Sequence, residues 1–319
     1  VVERMERGKY LKEHTLLVSL DCSGAFDNLT YESSVRALRE SGVSETLVKW
    51  YHNLLNNRTV DSELYGLGRT IRPSRGSPQG GVLSPLVWNL AINGLLRQFR
   101  EERVVADLGK HCIKAVGYAD DVLLLGQGND PKRLVRAMQG AINRAVRWAR
   151  SCGLDYNPQK TECCFLHPGY KNPRDPPLRI DGTPLAYTNT IKYLGLTLDK
   201  SLSWKAHIED KCLKAKRLLH STMRAVGREW GLTPDRIMWV HKAIIRPQIS
   251  YGSLVWAHKL NFGHKANLRS VQRQALLPLA HVMRSTPTAG MEATLGIPPA
   301  PTLSGGGASR RLPPACGDG

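Results

Sequence analysis

Apolar positions recur along this chain at two spacings, and the switches between them mark out its elements. Three short runs are apolar at nearly every residue: Leu16-Leu17-Val18-Ser19-Leu20, Ile113-Lys114-Ala115-Val116-Gly117 and Val122-Leu123-Leu124-Leu125. Their length and aliphatic character predict strands. Elsewhere the apolar residues fall three and four apart, which predicts helices. One runs through residue 40, capped by Asn28 or Thr30 and ended by Ser41-Gly42. A second covers 45–56, with Leu47, Val48, Trp50, Tyr51, Leu54 and Leu55. A third covers 83–99, apolar at Leu86, Val87, Leu90, Ala91, Leu95 and Leu96, and a fourth covers 131–152, with Gly153 at its stop. Residues 59–72 read as a hairpin turning at Tyr65-Gly66-Leu67-Gly68. A helix also leads from the amino terminus into the first run. Strand, helix, hairpin, helix, strand is a split βαβ order, so the expected class is α+β, a ferredoxin-like sheet with helices on one face.

Past residue 200 the strand pattern gives way to helices. Residues 204–227 form a strongly basic helical stretch containing Lys205, Lys211, Lys214, Lys216, Arg217 and Arg224. A helix over 234–245 is expected to break before Pro247, and another runs over about 265–283. Pro299-Ala300-Pro301-Thr302-Leu303-Ser304-Gly305-Gly306-Gly307 has the composition of a disordered tail. The organisation expected is thus 1–200, a helical region 201–298, and a tail 299–319.

Tyr118-Ala119-Asp120-Asp121 lies between the second and third strand runs, which puts two carboxylates at a hairpin tip. A third, Asp21, ends the first run. If those strands are neighbours, Asp21, Asp120 and Asp121 converge on one sheet edge, where they repel one another unless a cation neutralises them. An all-oxygen set of this kind suits Mg²⁺ or Mn²⁺ rather than zinc.

Composition narrows the partners. A formal charge of +18 on 319 residues calls for a polyanion, and nucleic acid is the first candidate because phosphate neutralisation releases counterions. A basic protein with no such partner is the bland alternative, which the acidic cluster in so basic a chain disfavours. A hydrophobic share of 41% supports packed cores rather than disorder. The seven cysteines show no CxxC pair, which fits reduced thiols inside the cell, in nucleus or cytoplasm, with Cys163-Cys164 read as buried strand residues. No run of 18 apolar residues occurs, so no membrane span is expected.

Between the acidic elements stands Gly76-Ser77-Pro78-Gln79-Gly80-Gly81-Val82-Leu83-Ser84-Pro85. The order Asp21-x-x-x-Ala25-Phe26-Asp27, Ser77-Pro78-Gln79-Gly80, Tyr118-Ala119-Asp120-Asp121 resembles motifs A, B and C of reverse transcriptases, most closely the non-LTR (LINE-type) retrotransposon branch. Gly153-Leu154-Asp155-Tyr156-Asn157-Pro158-Gln159-Lys160-Thr161 is similar to motif D, and Tyr193-Leu194-Gly195 to the primer-grip motif E.

The resemblance implies an RNA-directed DNA polymerase: a palm with part of the fingers (about 30–75) in 1–200, then a thumb-like helical region. Two Mg²⁺ ions, or Mn²⁺, would be held by Asp21, Asp120, Asp121 and the Cys22 carbonyl. Phe26, Gln79, Gly80 and Tyr118 would meet the incoming deoxynucleotide or primer terminus, and Lys160 would protonate pyrophosphate. Phe26 as an ordinary core residue stays open. Arg58, Arg69, Arg72 and Arg75 near the hairpin would face template or triphosphate, and Lys211, Lys214 and Arg217 the duplex, unless each is a solvated surface charge. RNA template, DNA primer and dNTPs are the partners implied. No endonuclease or RNase H constellation is read. The chain starts without Met and lacks the segment that normally precedes the first motif, so it is expected to be a fragment. A truncated or domesticated copy that binds nucleic acid without polymerising is the alternative.

Overall fold

A computed structural model describes residues 1–64, 67–101, 112–167, 177–224, 233–280 and 282–300. The expected turn residues Tyr65 and Gly66, the end of the basic stretch at 225–227 and nearly all of the tail lie outside that set. The chain divides into two compact units, Val1–Tyr193 and Leu194–Gly319.

In the first unit the elements are α1 (Val2–Tyr10), β1 (His14–Leu20), α2 (Ala25–Asn28), α3 (Tyr31–Glu40), α4 (Glu45–Asn56), β2 (Val60–Leu64) and β3 (Leu67–Ile71). There follow α5 (Ser84–Glu101), β4 (Cys112–Tyr118), β5 (Asp121–Gly128), α6 (Pro131–Ser151), β6 (Glu162–Leu166), β7 (Arg179–Ile180), β8 (Thr183–Pro184), β9 (Ala186–Tyr187) and β10 (Thr190–Tyr193). The main sheet has the order β4-β5-β1-β6-β9. Its first four strands are antiparallel throughout, which is the ferredoxin-like order expected, and β9 adds a parallel edge beside β6.

Central strand β1 is apolar on both faces because both are covered. Leu16, Val18 and Leu20 enter the main core with Trp88, Leu95, Met138 and Ile142 of α5 and α6. On the other face Leu17 is also fully buried, and Gly8 of α1 comes so close that a Cβ there would stand 2.7 Å from the Thr15 hydroxyl. Truncating any one of the buried Leu or Ile side chains to Ala would cost about 2–5 kcal/mol.

Helix α3 starts at Thr30, whose hydroxyl accepts from the Ser33 N–H, so Thr30 and not Asn28 is the cap. Two apolar stripes are turned relative to expectation. In α4 only Val48, Tyr51 and Leu55 are buried, while Leu47, Trp50 and Leu54 are exposed. In α5 the core side is Val87, Trp88, Ala91, Ile92, Leu95 and Phe99, and Leu86 faces solvent. Six apolar residues in twelve leave more than one face available, and packing selects among them. Cys163 and Cys164 are buried strand thiols, as expected, and no disulfide links the described cysteines.

The second unit comprises β11 (Leu196–Asp199), α7 (Lys205–Arg224), α8 (Pro234–Val240), α9 (Arg246–Ser250), α10 (Ser253–Trp256), α11 (Phe262–Ala280) and α12 (Thr288–Thr294). Pro247 does not end a helix. A π-helical turn over His241–Ile245 carries the chain from α8 into α9, with the Arg246 N–H bonded to the His241 carbonyl. The wider turn relieves the clash of the proline ring with the preceding carbonyls, and Pro247 then occupies the first turn of α9. Helix α11 begins earlier than its apolar spacing suggests, because the Asn261 side chain accepts the His264 N–H at 2.9 Å. Among the described residues no helix is long and apolar enough to cross a membrane.

Candidate active site

Strand register brings the acidic residues together. Leu20 pairs with Val122 and Tyr118 with Asp121, so one step beyond the β1–β5 ladder sets Asp21 opposite Asp121, with Ala119-Asp120 as a two-residue loop. Ala119 takes a left-handed backbone (φ 50°), which an L-residue adopts at a cost of about 1–2 kcal/mol. The Trp88 indole N–H of α5 donates to the Ala119 carbonyl at 2.7 Å and holds the loop there.

Electrostatics report the same convergence. Burial first, then the charges of Asp120 and Asp21, hold the Asp121 carboxyl above the usual carboxylate range. The Cys22 thiol is pushed up to about 12 by burial, followed by Asp120 and Asp21. Cys22 faces Tyr156 in an isolated antiparallel bridge whose hydrogen bonds come from its neighbours: Ser23 N–H to the Asp155 carbonyl (3.1 Å) and Asn157 N–H to the Asp21 carbonyl (2.9 Å). That pattern leaves the Cys22 carbonyl unused by the bridge. Among the described residues no group of three or more His, Cys, Asp or Glu side chains is placed to hold a metal ion. Asp21 and Asp121 stand opposite each other beside the Asp120 loop, with the Cys22 carbonyl outside the bridge's hydrogen bonds.

Because Asp121 binds its proton more tightly in the folded chain than in the unfolded one, its contribution to stability is greatest at acidic pH and declines as pH rises through its raised range. A divalent cation bound at this edge would offset the repulsion. In metal-free protein at neutral pH, Asp121→Asn is therefore expected to raise the Tm on the order of 1 °C, the exposed charges being screened. That gain should disappear in acid, and Mg²⁺ should raise the Tm of the parent more than that of the variant. Calorimetry in chelator and in Mg²⁺ makes the comparison.

The turn α2 carries Phe26 and Asp27 and is bound to the Gly76–Gly81 loop at three points. Ser77 N–H donates to the Phe26 carbonyl (2.8 Å), Gly76 N–H to the Leu29 carbonyl (2.8 Å), and the Gln79 amide to Asp27 Oδ1 (3.0 Å). Gly76 has φ 81°, and a Cβ there would lie 2.5 Å from the Asp27 carbonyl oxygen, so only glycine fits. Phe26 is half-buried, its ring 5.2 Å from that of Trp88, so it packs on the core while keeping one side open. Gln79, Gly80 and Tyr118 are exposed.

Around them, Arg72 and Arg75 are exposed. Arg58 is committed internally: its guanidinium donates to the carbonyls of Arg75 and Gly76 and lies over the Tyr31 ring. Lys160 is exposed in the loop whose Asn157 N–H reaches Asp21. Tyr193 is buried, and burial followed by the Asp121 charge raises its hydroxyl above the ordinary tyrosine value.

In the second unit, Leu194 (φ 47°) and Gly195 (φ 72°) form a turn of two left-handed residues. Tyr251 clasps it: its hydroxyl donates to the Leu194 carbonyl at 2.9 Å, and its ring would stand 3.0 Å from a Cβ at Gly195. The Lys211 ammonium lies over that ring at 4.7 Å, and burial, then Lys214, lowers its pKa. Lys214 pairs with Asp210 at 2.8 Å, and Arg217 is exposed.

Sequence reasoning passed over Trp88, the Asp27–Gln79 bond, Thr161, whose hydroxyl is 3.4 Å from the Asp21 N–H, and Tyr251. Trp88 could have been found, since 88, 92, 95 and 99 follow helical spacing; the others had no local signal.

A carboxylate-tipped hairpin beside a strand-end aspartate, in a split βαβ sheet, defines a polymerase-type palm. Residues 3–198 match the family model described as reverse transcriptase (RNA-dependent DNA polymerase), and the chain belongs to that family. Its relatives include proteins of R1 and R2 elements, the non-LTR kind expected. A putative 115 kDa protein in the type-1 retrotransposable element R1DM of Drosophila melanogaster is 26% identical over 92% of this chain, which covers 27% of that protein. The Pol polyprotein from the type-1 element R1 of Nasonia vitripennis is 27% identical over 69% of the chain, which covers 64% of it. A probable RNA-directed DNA polymerase from transposon BS of Drosophila melanogaster is 26% identical over 86%, the chain covering 30% of it. The chain thus spans less than two thirds of the length of each. Among solved structures, a Candida albicans telomerase in complex with a fragment of telomeric RNA aligns over 92% of this chain and 54% of its own, with 10% identity and a TM-score of 0.49.

Proposed function

We propose that this chain carries the polymerising palm of a retroelement RNA-directed DNA polymerase, which extends a DNA primer from dNTPs on an RNA template. The observation that carries this is the convergence of Asp21, Asp120 and Asp121 at one end of the sheet in a chain of the reverse transcriptase family. Asp21 and Asp120 would hold Mg²⁺ or Mn²⁺, with Asp121 and the Cys22 carbonyl completing the shell. Two such ions supply a more acidic primer hydroxyl and charge neutralisation on the departing pyrophosphate.

The remaining roles fall to residues around that edge. The Phe26 ring would crowd a 2′-hydroxyl, and Gln79 and Gly80 would approach the base and sugar. Tyr118 would flank the primer terminus, Lys160 would pass a proton to pyrophosphate, and Arg72 and Arg75 would face phosphates. Tyr193, Leu194 and Gly195 would steady the primer. Arg217, with Lys211 and Lys214 where they exchange their internal partners for phosphate, would track the duplex.

Primer extension on an RNA template with Mg²⁺ or Mn²⁺ tests the reading directly. Replacing Phe26 with Val is expected to raise ribonucleotide incorporation relative to deoxynucleotide by about tenfold, roughly the 1.4 kcal/mol of one relieved steric contact. Competition between the two nucleotides measures it, and unchanged selectivity would assign Phe26 to the core alone.

Neutralising Lys211, Lys214 and Arg217 together is expected to flatten the salt dependence of duplex binding, each lost phosphate contact removing roughly 0.7–0.9 from the log–log slope. Unchanged affinity across a salt titration would show that these charges serve only the protein surface.

A further inference from the structure

We propose that Asp27 is a positioning residue, whose carboxylate fixes the orientation of the Gln79 amide and so the hydrogen-bonding face that the amide offers an incoming nucleotide. The inference rests on the polymerase reading and goes beyond it, since it concerns a residue that reading gives no task.

Gln79 is exposed on a loop, and an exposed glutamine amide is free to rotate and to exchange the places of its oxygen and nitrogen. Here its Nε2 lies 3.0 Å from Asp27 Oδ1. An ionised carboxylate only accepts hydrogen bonds, so it requires the NH₂ end of the amide and rejects the carbonyl end. The bond is charge-assisted, which makes it stronger than one between neutral groups.

With one N–H engaged, the planar amide turns Oε1 away from Asp27. Gln79 then offers one acceptor and one remaining donor in a fixed arrangement. Among the described residues no ion pair competes for Asp27.

The backbone makes Asp27 the natural anchor. Its own carbonyl is the atom against which Gly76 is pressed, and the carbonyls of Phe26, one position before it, and Leu29, two positions after it, accept hydrogen bonds from the loop. Asp27 therefore moves with the Gln79 loop as one piece, and Phe26 is its chain neighbour. Ring and amide are held in register by the same short turn.

The test uses the full chain with a primer–template. Asp27→Ala is expected to raise the KM for dNTP about five- to tenfold while changing kcat less than about twofold, the loss of one oriented hydrogen bond, and Asp27→Asn, whose amide can meet Gln79 in either orientation, to raise it by a smaller factor. Duplex affinity should not change. On a Gln79→Ala background, Asp27→Ala should add nothing.

Because an asparagine amide can donate to a carboxylate, Asp27→Asn combined with Gln79→Glu restores the bond with reversed polarity. That pair should recover thermal stability without recovering the dNTP KM. A second measurement needs no turnover. In protein labelled with ¹⁵N-glutamine, the Gln79 side-chain resonance should shift in Asp27→Ala, and dNTP titrated into a complex whose primer lacks its 3′-hydroxyl should bind more weakly by the same factor.

Unchanged nucleotide affinity in Asp27→Ala, or additive losses in the double variant, would overturn the proposal. A parent that binds dNTP but never extends would sink the polymerase reading, while the titration still decides the role of Asp27. A parent that binds no dNTP would remove both.

Discussion

Asp120→Asn is expected to lower single-turnover primer extension by roughly 1,000-fold or more and to leave primer–template affinity within about twofold. The amide keeps the size of the carboxylate, and the Trp88–Ala119 hydrogen bond that holds the hairpin loop does not involve the Asp120 side chain. What is lost is charge: a neutral amide is a poor ligand for a hard divalent cation. The same change removes one of the two carboxylates that raise Asp121, so the Asp121 titration should move back toward the ordinary carboxylate range. On the proposed reading duplex binding would depend instead on the basic residues, and it should be indifferent to this change. Extension that survives in Asp120→Asn would end the assignment of the catalytic edge. Equal losses of binding and extension would point to a distorted hairpin instead.

Gly76→Ala is the second large effect. Its φ of 81° imposes strain on any side chain, and the new Cβ would stand 2.5 Å from the Asp27 carbonyl oxygen and 2.8 Å from its carbon. Both contacts are with backbone, so no side chain can swing away. The loop must retreat, which stretches the hydrogen bonds from Gly76 to Leu29 and from Ser77 to Phe26. Strain and weakened bonds together are expected to cost about 2–4 kcal/mol, a fall in Tm of roughly 5–10 °C. Gly42→Ala is the matched control, with φ 79° and nothing within 4 Å of the added carbon, and should cost only about 1 kcal/mol. If the two variants melt alike, the loop tolerates the contact. Gly76→Ala should also depress extension more than Gly42→Ala does, because Gln79 hangs from the displaced loop.

Several elements could be read from the chain because their signals are local. A 3.6-residue repeat with a cap shows its own limits, which is why α3, α4 and α6 fell close to expectation. The tip of the hairpin was legible because two strand-like runs flank Ala119-Asp120 directly. Faces of helices were less legible. In α4 the residues Trp50 and Tyr51 are both aromatic and adjacent, and nothing in their order says that Tyr51 is buried and Trp50 exposed. Arg58 shows the same limit from the polar side: a basic residue near a basic loop reads as a phosphate contact, yet its guanidinium is spent on two backbone carbonyls. The continuation of a helix across Pro247 was hidden because a π turn changes the frame in which the proline's missing N–H is counted.

By itself the sequence determined the order of strand, helix and hairpin, the acidic residues of the hairpin tip and strand end and the basic character of α7, since each is a property of adjacent or regularly spaced residues. Tertiary structure alone decided that Asp21 stands opposite Asp121, that Asp27 holds Gln79, that Trp88 pins the hairpin loop and that Tyr251 clasps the Leu194-Gly195 turn. Those pairings join residues separated by tens of positions. Which partners meet is set by strand register and by the packing of α5 on the sheet, and these are settled only when the whole core closes at once.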